Sequence, residues 1–129
     1  MTRVETSGAP APAGHYSQGM VHGGLVYVAG QLPIEAARRR DGARPLGSVG
    51  EQTERALRNV QAILEAAGSG LDRLLQVTIY VSDMAHWGEV NESYARVLGS
   101  HRPARAVVPV KELHHGYAVE IQAIGAVNG

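Results

Sequence analysis

Two charged side chains stand inside apolar, strand-like runs near the end of the chain. Arg105 follows a Pro-Ala pair at the start of a run of small and β-branched residues, and Glu120 lies in the apolar run 119–127. A charge in such a run is costly unless it is paired or faces a functional site. The connecting loop of about seven residues predicts neighbouring antiparallel strands, which would bring Arg105 and Glu120 close together.

This pair has two interpretations that the residue pattern leaves open. In the first, Arg105 and Glu120 form a structural salt bridge between strands. In the second, the two-pronged guanidinium of Arg105 holds an anionic substrate group. Glu120 would then orient or deprotonate a water molecule, or protonate a leaving nitrogen.

The six histidines do not have the spacing of a metal site. His114 and His115 are adjacent, so on a strand they would point to opposite faces, and the other four are scattered. We therefore predict no metal. A histidine at the rim of a cleft, His15 or His114, could tune proton transfer near neutral pH. The alternative is that both are exposed loop residues.

Composition limits the possible functions. The chain has 129 residues, a formal net charge of zero and no cysteine, which excludes disulfides and thiolate catalysis. No apolar stretch approaches the ~20 residues of a membrane span, and a signal-peptide pattern is lacking, so we expect a soluble, cytoplasmic protein. The basic run Arg38–Arg40, with Arg44 nearby, is interpreted as a solvated loop. We therefore expect neither nucleic acid nor membrane as a partner.

The elements that must position these residues follow from periodicity. Residues 1–14 are small and proline-rich, which predicts a loose arm, and residues 15–129 form one domain. Two short strands joined at Gly23-Gly24 come next, and then a helix whose cap is Ser48 with Glu51 and whose stop is Gly68. A strand follows in which Leu75, Val77, Ile79 and Val81 alternate with polar residues.

Asp83 is expected to cap a second helix that ends at Gly99, with an apolar stripe formed by Trp87, Val90, Tyr94, Val97 and Leu98. Strands over 104–110 and 118–127 complete the order β-β-α-β-α-β-β. This order predicts an α+β domain with one mixed sheet and both helices on one face. The other face would expose Tyr80, Val107, Ile124 and Ala126, which indicates oligomerisation.

Seven segments in order along residues 14–127 resemble the Rid (YjgF/UK114) family: GHYSQG, VYVAGQLP, NVQAILEAAG, VTIYVSDM, VNESYARVL, RPARAVVPV and VEIQAIGAV. The resemblance implies a fold like that of trimeric chorismate mutase. Three copies would surround a central barrel, with a site in each cleft between neighbours. It also implies a cofactor-independent enamine/imine deaminase that acts on products such as 2-aminoacrylate.

The resemblance also assigns roles to individual residues. Arg105 would bind the substrate carboxylate, and Glu120 would position the hydrolytic water. Tyr16 would close over the substrate as a lid from the neighbouring subunit. Gly30 and Gln31 form the turn whose backbone N–H suits the carboxylate, and Asn91 lies on the second helix. A protonated imine carbon is already electrophilic, so orientation, water and proton transfer suffice, without a covalent nucleophile.

Some positions depart from the family pattern. Ala29 stands where a serine is common, and Arg102 stands where an aromatic residue is usual. His114-His115 lie in a loop, ELHHGY, where a leucine-proline pair is more usual. Ala29 and His114 are therefore expected to contact a substrate that is bulkier or more polar than usual. Two other functions stay open. One is a pathway enzyme that cyclises, tautomerises or dehydrates an unstable imine, and the other is a trimer that only binds carboxylates.

Overall fold

The computed structural model describes residues 1–36 and 47–128. They form an α+β fold with one mixed six-stranded sheet in the order β1-β2-β3-β6-β4-β5. Both helices pack with the sheet in a single apolar core, which confirms the predicted class. The elements are β1 Thr2–Val4, β2 Gly19–His22, β3 Leu25–Gln31, α1 Val49–Ala66, β4 Leu74–Val81, α2 Trp87–Leu98, β5 Ala104–Pro109 and β6 Val119–Ala126.

The first strand corrects the prediction of a loose arm over residues 1–14. Thr2–Val4 pairs antiparallel with β2, and Val4 and Ala9 are buried in the core. A small domain has little apolar surface to bury, so the apolar residues at the start of the chain are used to enlarge the core. The β2–β3 hairpin turns at Gly23 and Gly24 with φ angles of 60° and 81°, as predicted.

Helix α1 begins and ends where the sequence predicts. Ser48 and Glu51 form a reciprocal capping box, and Gly68 follows the C-cap with φ of 85°. At α2 the prediction needs a correction. The Asp83 carboxylate caps a 3-10 turn, Met84–His86, by accepting from the Ala85 N–H, and α2 follows that turn. Gly99 ends α2 with φ of 65°.

The predicted antiparallel pairing of the last two strands is wrong. β5 pairs in parallel with β4, and β6 lies between β3 and β4, antiparallel to both. The cause is α2, because a helix that connects two strands of one sheet favours a parallel crossover. Because β5 occupies one edge of β4, β6 pairs with the other edge.

Only one face of the sheet packs against the apolar core. Val77, Ile79 and Val81 of β4 are buried, whereas Leu75 beside an irregularity in the pairing is 48% exposed, contrary to the predicted alternation. Val107 pairs with Ile79 and packs against the core, so its predicted place on the open face is also wrong. Tyr80 in β4, and Ile124 and Ala126 in β6, alternate with the buried residues of their strands, so their side chains lie on the other, open face of the sheet.

The basic run Arg38–Arg40 and Arg44 lie outside the described residues. In the part of the chain that the structure describes, no helix has the length and apolarity needed to cross a membrane.

Candidate active site

The first group of candidate residues lines a cavity of about 520 Å³, here called the Glu120 cavity. It lies where the N-terminal arm, the end of β3 and the loop before β6 meet. Its walls are Pro10, Ala11, Ala13, Gly14, Tyr16, Ala29, Gly30, Gln31, Leu32, Ile34, His114, His115 and Glu120. The structure therefore brings together the predicted residues Tyr16, Ala29, Gly30, Gln31, His114 and Glu120.

Glu120 lies directly over Gly30. The register of β3 against β6 shifts between Val28 and Gln31, so Gly30 falls in a bulge. A β-carbon added to Gly30 would clash with Oε2 of Glu120 and would lie 3.1 Å from its Cδ. The absence of a side chain at Gly30 thus leaves the room that the carboxylate occupies.

The half-buried position of Glu120 changes its acidity. Burial raises the pKa of the Glu120 carboxyl, and the positive charge of His114 partly offsets this rise. A carboxyl whose pKa moves toward neutrality exchanges protons more readily at physiological pH than an ordinary surface glutamate does.

Buried amides hold the cavity walls in place. Gln31 is buried and its side-chain amide donates to the Ala29 carbonyl at 3.2 Å, so this side chain supports the bulge. Asn59 of α1 donates to the carbonyls of Leu32 and Ile34 at 3.1 and 2.8 Å. These bonds fix the segment after β3 against the helix.

Tyr16 is 52% exposed, and its hydroxyl accepts from the Ala13 N–H at 3.3 Å. The segment before it is held by Gln18, which is 3% exposed. The side-chain Oε1 of Gln18 accepts from the Thr6 N–H, and its Nε2 donates to the backbone carbonyls of Thr6, Ala9 and Pro10. One buried side chain therefore shapes the arm that carries Tyr16.

Arg105 lies in a second cavity of about 450 Å³, whose walls also include Asn91, Tyr94, Arg102 and Pro103. Its Nη1 donates to Oδ1 of Asn91 at 2.9 Å, and its guanidinium carbon stands 4.8 Å from the Tyr94 ring centroid. The Trp87 ring is 5.9 Å away. Stacking and one hydrogen bond orient the guanidinium and leave most of its donors available.

The charge of Arg105 has no acidic partner among the described residues. It does act on Tyr94: burial raises the pKa of the Tyr94 phenol, and the Arg105 charge opposes this rise. The Tyr94 hydroxyl is buried and has no hydrogen-bond partner in the described ranges 1–36 and 47–128. Of the two aromatic residues in the predicted apolar stripe of α2, Trp87 is 42% exposed, whereas Tyr94 belongs to the core.

Arg105 and Glu120 do not meet within one chain. Arg105 pairs with Val77 of β4, a residue of the helix-covered face, whereas Glu120 pairs with Tyr80 of the open face. The register places their Cα atoms roughly 14 Å apart, two strand spacings across and three residues along the sheet. The salt-bridge interpretation is therefore wrong within one chain, and the predicted residues lie in two separate cavities.

His114 and His115 lie in a 3-10 turn, so the strand geometry assumed for them is also wrong. Their ring centroids are 4.0 Å apart. The described part of the chain contains no group of three or more histidine, cysteine or acidic residues placed to hold a metal ion.

Sequence reasoning missed the residues that orient the site rather than line it. Gln18 stands in the GHYSQG segment, where a glutamine between small residues gives no sign that it is buried. Asn59 stands inside an otherwise regular helix, and its polar position on the buried face was the available signal. The contacts of Arg105 with the Trp87 and Tyr94 rings depend on the parallel β4–β5 pairing, so they could not be predicted from the spacing of residues along the sequence.

Comparisons with known proteins agree with this architecture. A family model described as Endoribonuclease L-PSP matches residues 6–127. The 2-iminobutanoate/2-iminopropanoate deaminase of Rattus norvegicus is 36% identical over 126 residues, which cover 98% of this chain and 89% of the rat protein.

Two solved structures from E. coli superpose on nearly the whole chain. The YjgF gene product has a TM-score of 0.89 at 32% identity, covering 99% of this chain and 100% of that one. TdcF, solved with bound serine, has a TM-score of 0.89 at 30% identity, with the same coverage. On this match over nearly its full length, the chain belongs to the Rid/YjgF family.

Proposed function

We propose that this protein hydrolyses carboxylate-bearing imines, and the enamines from which they form, to 2-oxo acids and ammonia. The observation that carries the proposal is the Arg105 guanidinium. It is oriented by Asn91 and Tyr94, lines a cavity, and has no carboxylate partner among the described residues. Such a group binds a planar carboxylate through paired hydrogen bonds. The rat relative that is named as an imine deaminase supports the same assignment.

The reaction needs both the Arg105 cavity and the Glu120 cavity, so we propose that each is a half-site and that a second copy of the chain completes each site. The open face of the sheet carries Tyr27, Tyr80, Ile124 and Ala126, which is more apolar surface than a solvated face needs. Pairing of this face among three copies would form a homotrimer with Arg105 of one copy across from Glu120 of the next. A closed ring of equivalent interfaces satisfies every copy equally.

The chemistry follows from the charges at the site. An enamine first accepts a proton on its terminal carbon and becomes an iminium. Water then adds to the iminium carbon as Glu120 accepts one of the water's protons, which gives a carbinolamine. The Glu120 carboxyl returns this proton to nitrogen, the carbon–nitrogen bond breaks with its electron pair on nitrogen, and ammonia leaves. The remaining hydroxyl proton is lost as the 2-oxo acid forms.

The raised pKa of Glu120 suits both halves of this cycle. A carboxylate that is too acidic would accept the water proton poorly, and a carboxyl that is never ionised could not accept it at all. The Gly30 N–H would meet the substrate carboxylate opposite Arg105, and Tyr16 would cover the bound imine. Ala29 lacks the hydroxyl that the family commonly supplies at this position, so the Glu120 carboxylate is the acid–base group that faces the bulge.

A second candidate function is binding of amino or imino acids without turnover. It is favoured by the location of the anion half-site, which lies apart from Glu120 in the single chain, and by the TdcF relative, solved with bound serine. Such a protein would bind serine equally well after Glu120 is replaced and would not accelerate imine loss.

The test is a coupled assay in which an amino-acid oxidase generates short-lived imines from a panel of amino acids and semicarbazide traps the remainder. Wild type should accelerate imine loss, and Arg105→Ala and Glu120→Ala should not. Arg96→Ala is the matched control, since Arg96 is exposed on α2 and forms an ion pair with Glu92, one helical turn away. Absence of acceleration by wild type across the panel, with retained serine binding, would replace hydrolysis by the binding function.

A further inference from the structure

One face of α2 lies against the Arg105 guanidinium. Trp87, Asn91 and Tyr94 are four and three residues apart, which is the spacing of neighbours on a single helical face. The Tyr94 ring centroid is 4.8 Å from the guanidinium carbon, and the Trp87 ring centroid is 5.9 Å from it. Asn91 accepts a hydrogen bond from Nη1 at 2.9 Å. Three side chains of one helix therefore contact the same cation.

Trp87 differs from the other two in its exposure. Tyr94 is 7% exposed and Asn91 is partly buried, whereas Trp87 is 42% exposed. Met84, three residues earlier in the 3-10 turn, is 45% exposed and lies on the same side of the helical turn. The start of α2 thus presents apolar surface to solvent next to an oriented guanidinium. That surface is placed to contact the apolar part of a ligand whose anionic group is bound by Arg105.

The length of the ligand decides whether it reaches the ring. A carboxylate held by the guanidinium fork has its carbon about 4 Å from the guanidinium carbon. With the Trp87 ring centroid 5.9 Å from that same atom, a perpendicular approach leaves roughly 7 Å between the carboxylate carbon and the ring centroid. The methyl group of an alanine-derived imine ends about 2.5 Å from its carboxylate carbon and falls short of contact. The chain of a leucine-derived imine extends about 5 Å and reaches the ring.

We propose that Trp87 is a specificity-determining residue: its ring contacts the side chain of an imino acid whose carboxylate is bound by Arg105, and it selects substrates with an extended apolar chain. The inference rests on the proposed function, since it names the substrate class of that same site. Met84 adds an adaptable apolar surface beside the ring, because methionine is unbranched and flexible.

The first experiment measures binding without turnover. Propanoate and pentanoate carry the carboxylate but no imine, and Trp87 is the only tryptophan in the chain, so its fluorescence reports on this ring. Pentanoate should bind wild type about tenfold more tightly than propanoate and shift the Trp87 emission to shorter wavelength, because it removes the ring from water. Equal affinities would overturn the proposal. An emission that is already that of a buried indole and responds to neither carboxylate would also overturn it, since a second copy would then cover the ring.

Variants separate contact with the ligand from support of Arg105. In NMR titrations, Trp87→Ala should lose the preference for pentanoate, and Trp87→Phe should keep part of it. Leu75→Ala is the control, because Leu75 is 48% exposed near the start of β4, outside the walls of the Arg105 cavity, and should leave the preference unchanged. An equal loss of affinity for both carboxylates in Trp87→Ala would mean that the ring only orients Arg105, which would contradict the proposal. Tighter binding of succinate than of pentanoate would assign the cavity to dicarboxylates through Arg102, which also lines it, and would contradict the proposal too.

The second experiment compares kcat/KM for the leucine-derived and the alanine-derived imine in the coupled assay. The ratio of the two values should be about tenfold higher in wild type than in Trp87→Ala. Hydrolysis of both imines with a ratio that Trp87→Ala leaves unchanged would overturn the inference and keep the proposed function. Tighter binding of pentanoate through Trp87 in a protein that hydrolyses neither imine would support the contact and contradict the hydrolysis, so the two failures are distinct.

Discussion

The carboxylate of Glu120 occupies the space that a side chain at Gly30 would need. An added β-carbon would clash with Oε2 and stand 3.1 Å from Cδ, so the bulge in β3 and the acid in β6 depend on each other. Gly30→Ala should therefore displace the carboxylate while leaving the fold intact, because the clash involves the end of a flexible side chain. We expect a fall in kcat of about 100-fold or more, the usual contribution of a positioned acid–base group.

The control for this substitution is Gly88→Ala in α2, where an added β-carbon meets nothing within 4 Å. It should leave kcat unchanged and raise stability by about 0.5–1 kcal/mol, as expected when alanine replaces glycine within a helix. Thermal unfolding and steady-state kinetics of both variants check this pair. Full activity of Gly30→Ala would show that the Glu120 position is not required.

The opposite faces taken by Arg105 and Glu120 lead to a complementation test. If one copy supplies Arg105 and its neighbour supplies Glu120, mixed oligomers of Arg105→Ala and Glu120→Ala contain some intact sites. With random equal mixing in a closed ring, about a quarter of the sites would carry both wild-type residues. Coexpressed variants should therefore recover roughly a quarter of wild-type activity, whereas each variant alone is inactive. No recovery in verified mixed oligomers would place the site within one chain.

The sequence predicted local structure well because local structure depends on short-range signals. The Ser48–Glu51 capping box and the glycines at 23, 24, 68 and 99 each act within a few residues, and each lies where the pattern indicated. Candidate residues were likewise identified one by one. Their relative placement was not predictable in the same way, because it depends on strand order.

The error over β5 and β6 shows the reason. The connection between the two strands, residues 110–118, is long enough to reach past one strand, so loop length alone did not decide between neighbours. The deciding factor is the α2 crossover, which makes β5 a parallel partner of β4 and sends β6 to the other edge of β4. Because this pairing was predicted wrongly, two residues on opposite faces of the sheet were interpreted as a possible ion pair.

Glu120 should reduce stability at neutral pH. Its folded-state pKa is raised by burial, so its contribution to stability is complete below its ordinary pKa and is lost as pH rises through the folded-state value. Glu120→Gln does not ionise and should unfold at a higher temperature than wild type at pH 7. The difference should shrink as pH falls toward about 4, where wild type is also neutral. Glu54→Gln, on the exposed face of α1, should show no such gain, and a Glu120→Gln advantage independent of pH would contradict the explanation.

Arg105→Lys tests the geometry of the anion site separately from its charge. Lysine keeps the positive charge but loses the planar fork, the stacking on Tyr94 and the bond to Asn91. KM for an imino acid should rise about tenfold to a hundredfold, as expected for loss of a hydrogen bond between charged groups. Arg96→Lys, at an exposed position of α2, should change neither KM nor kcat. An unchanged KM for Arg105→Lys would mean that charge alone binds the substrate.

Gln18 links the N-terminal arm to the cavity through four hydrogen bonds to backbone atoms of Thr6, Ala9 and Pro10. Gln18→Met keeps the side-chain volume but leaves these buried backbone groups without partners, at a cost of about 1–3 kcal/mol. Because the arm also carries Tyr16, the loss should appear first as local opening. Hydrogen exchange at the Thr6 amide should accelerate more than exchange in β4, and KM should rise as Tyr16 loses its fixed position.

A surface amide provides the control for that loss. The Gln61 amide of α1 bonds to the side chains of Arg58 and Glu65 on the same helix. Gln61→Met should therefore change stability by no more than about 0.5 kcal/mol and leave hydrogen exchange at Thr6 unchanged. If Gln18→Met opens the arm while KM stays at its wild-type value, Tyr16 does not act as a lid, and the substrate is held by Arg105 and Glu120 alone. If Thr6 exchange is unchanged, other contacts hold the arm, and the buried amide of Gln18 contributes only to the core.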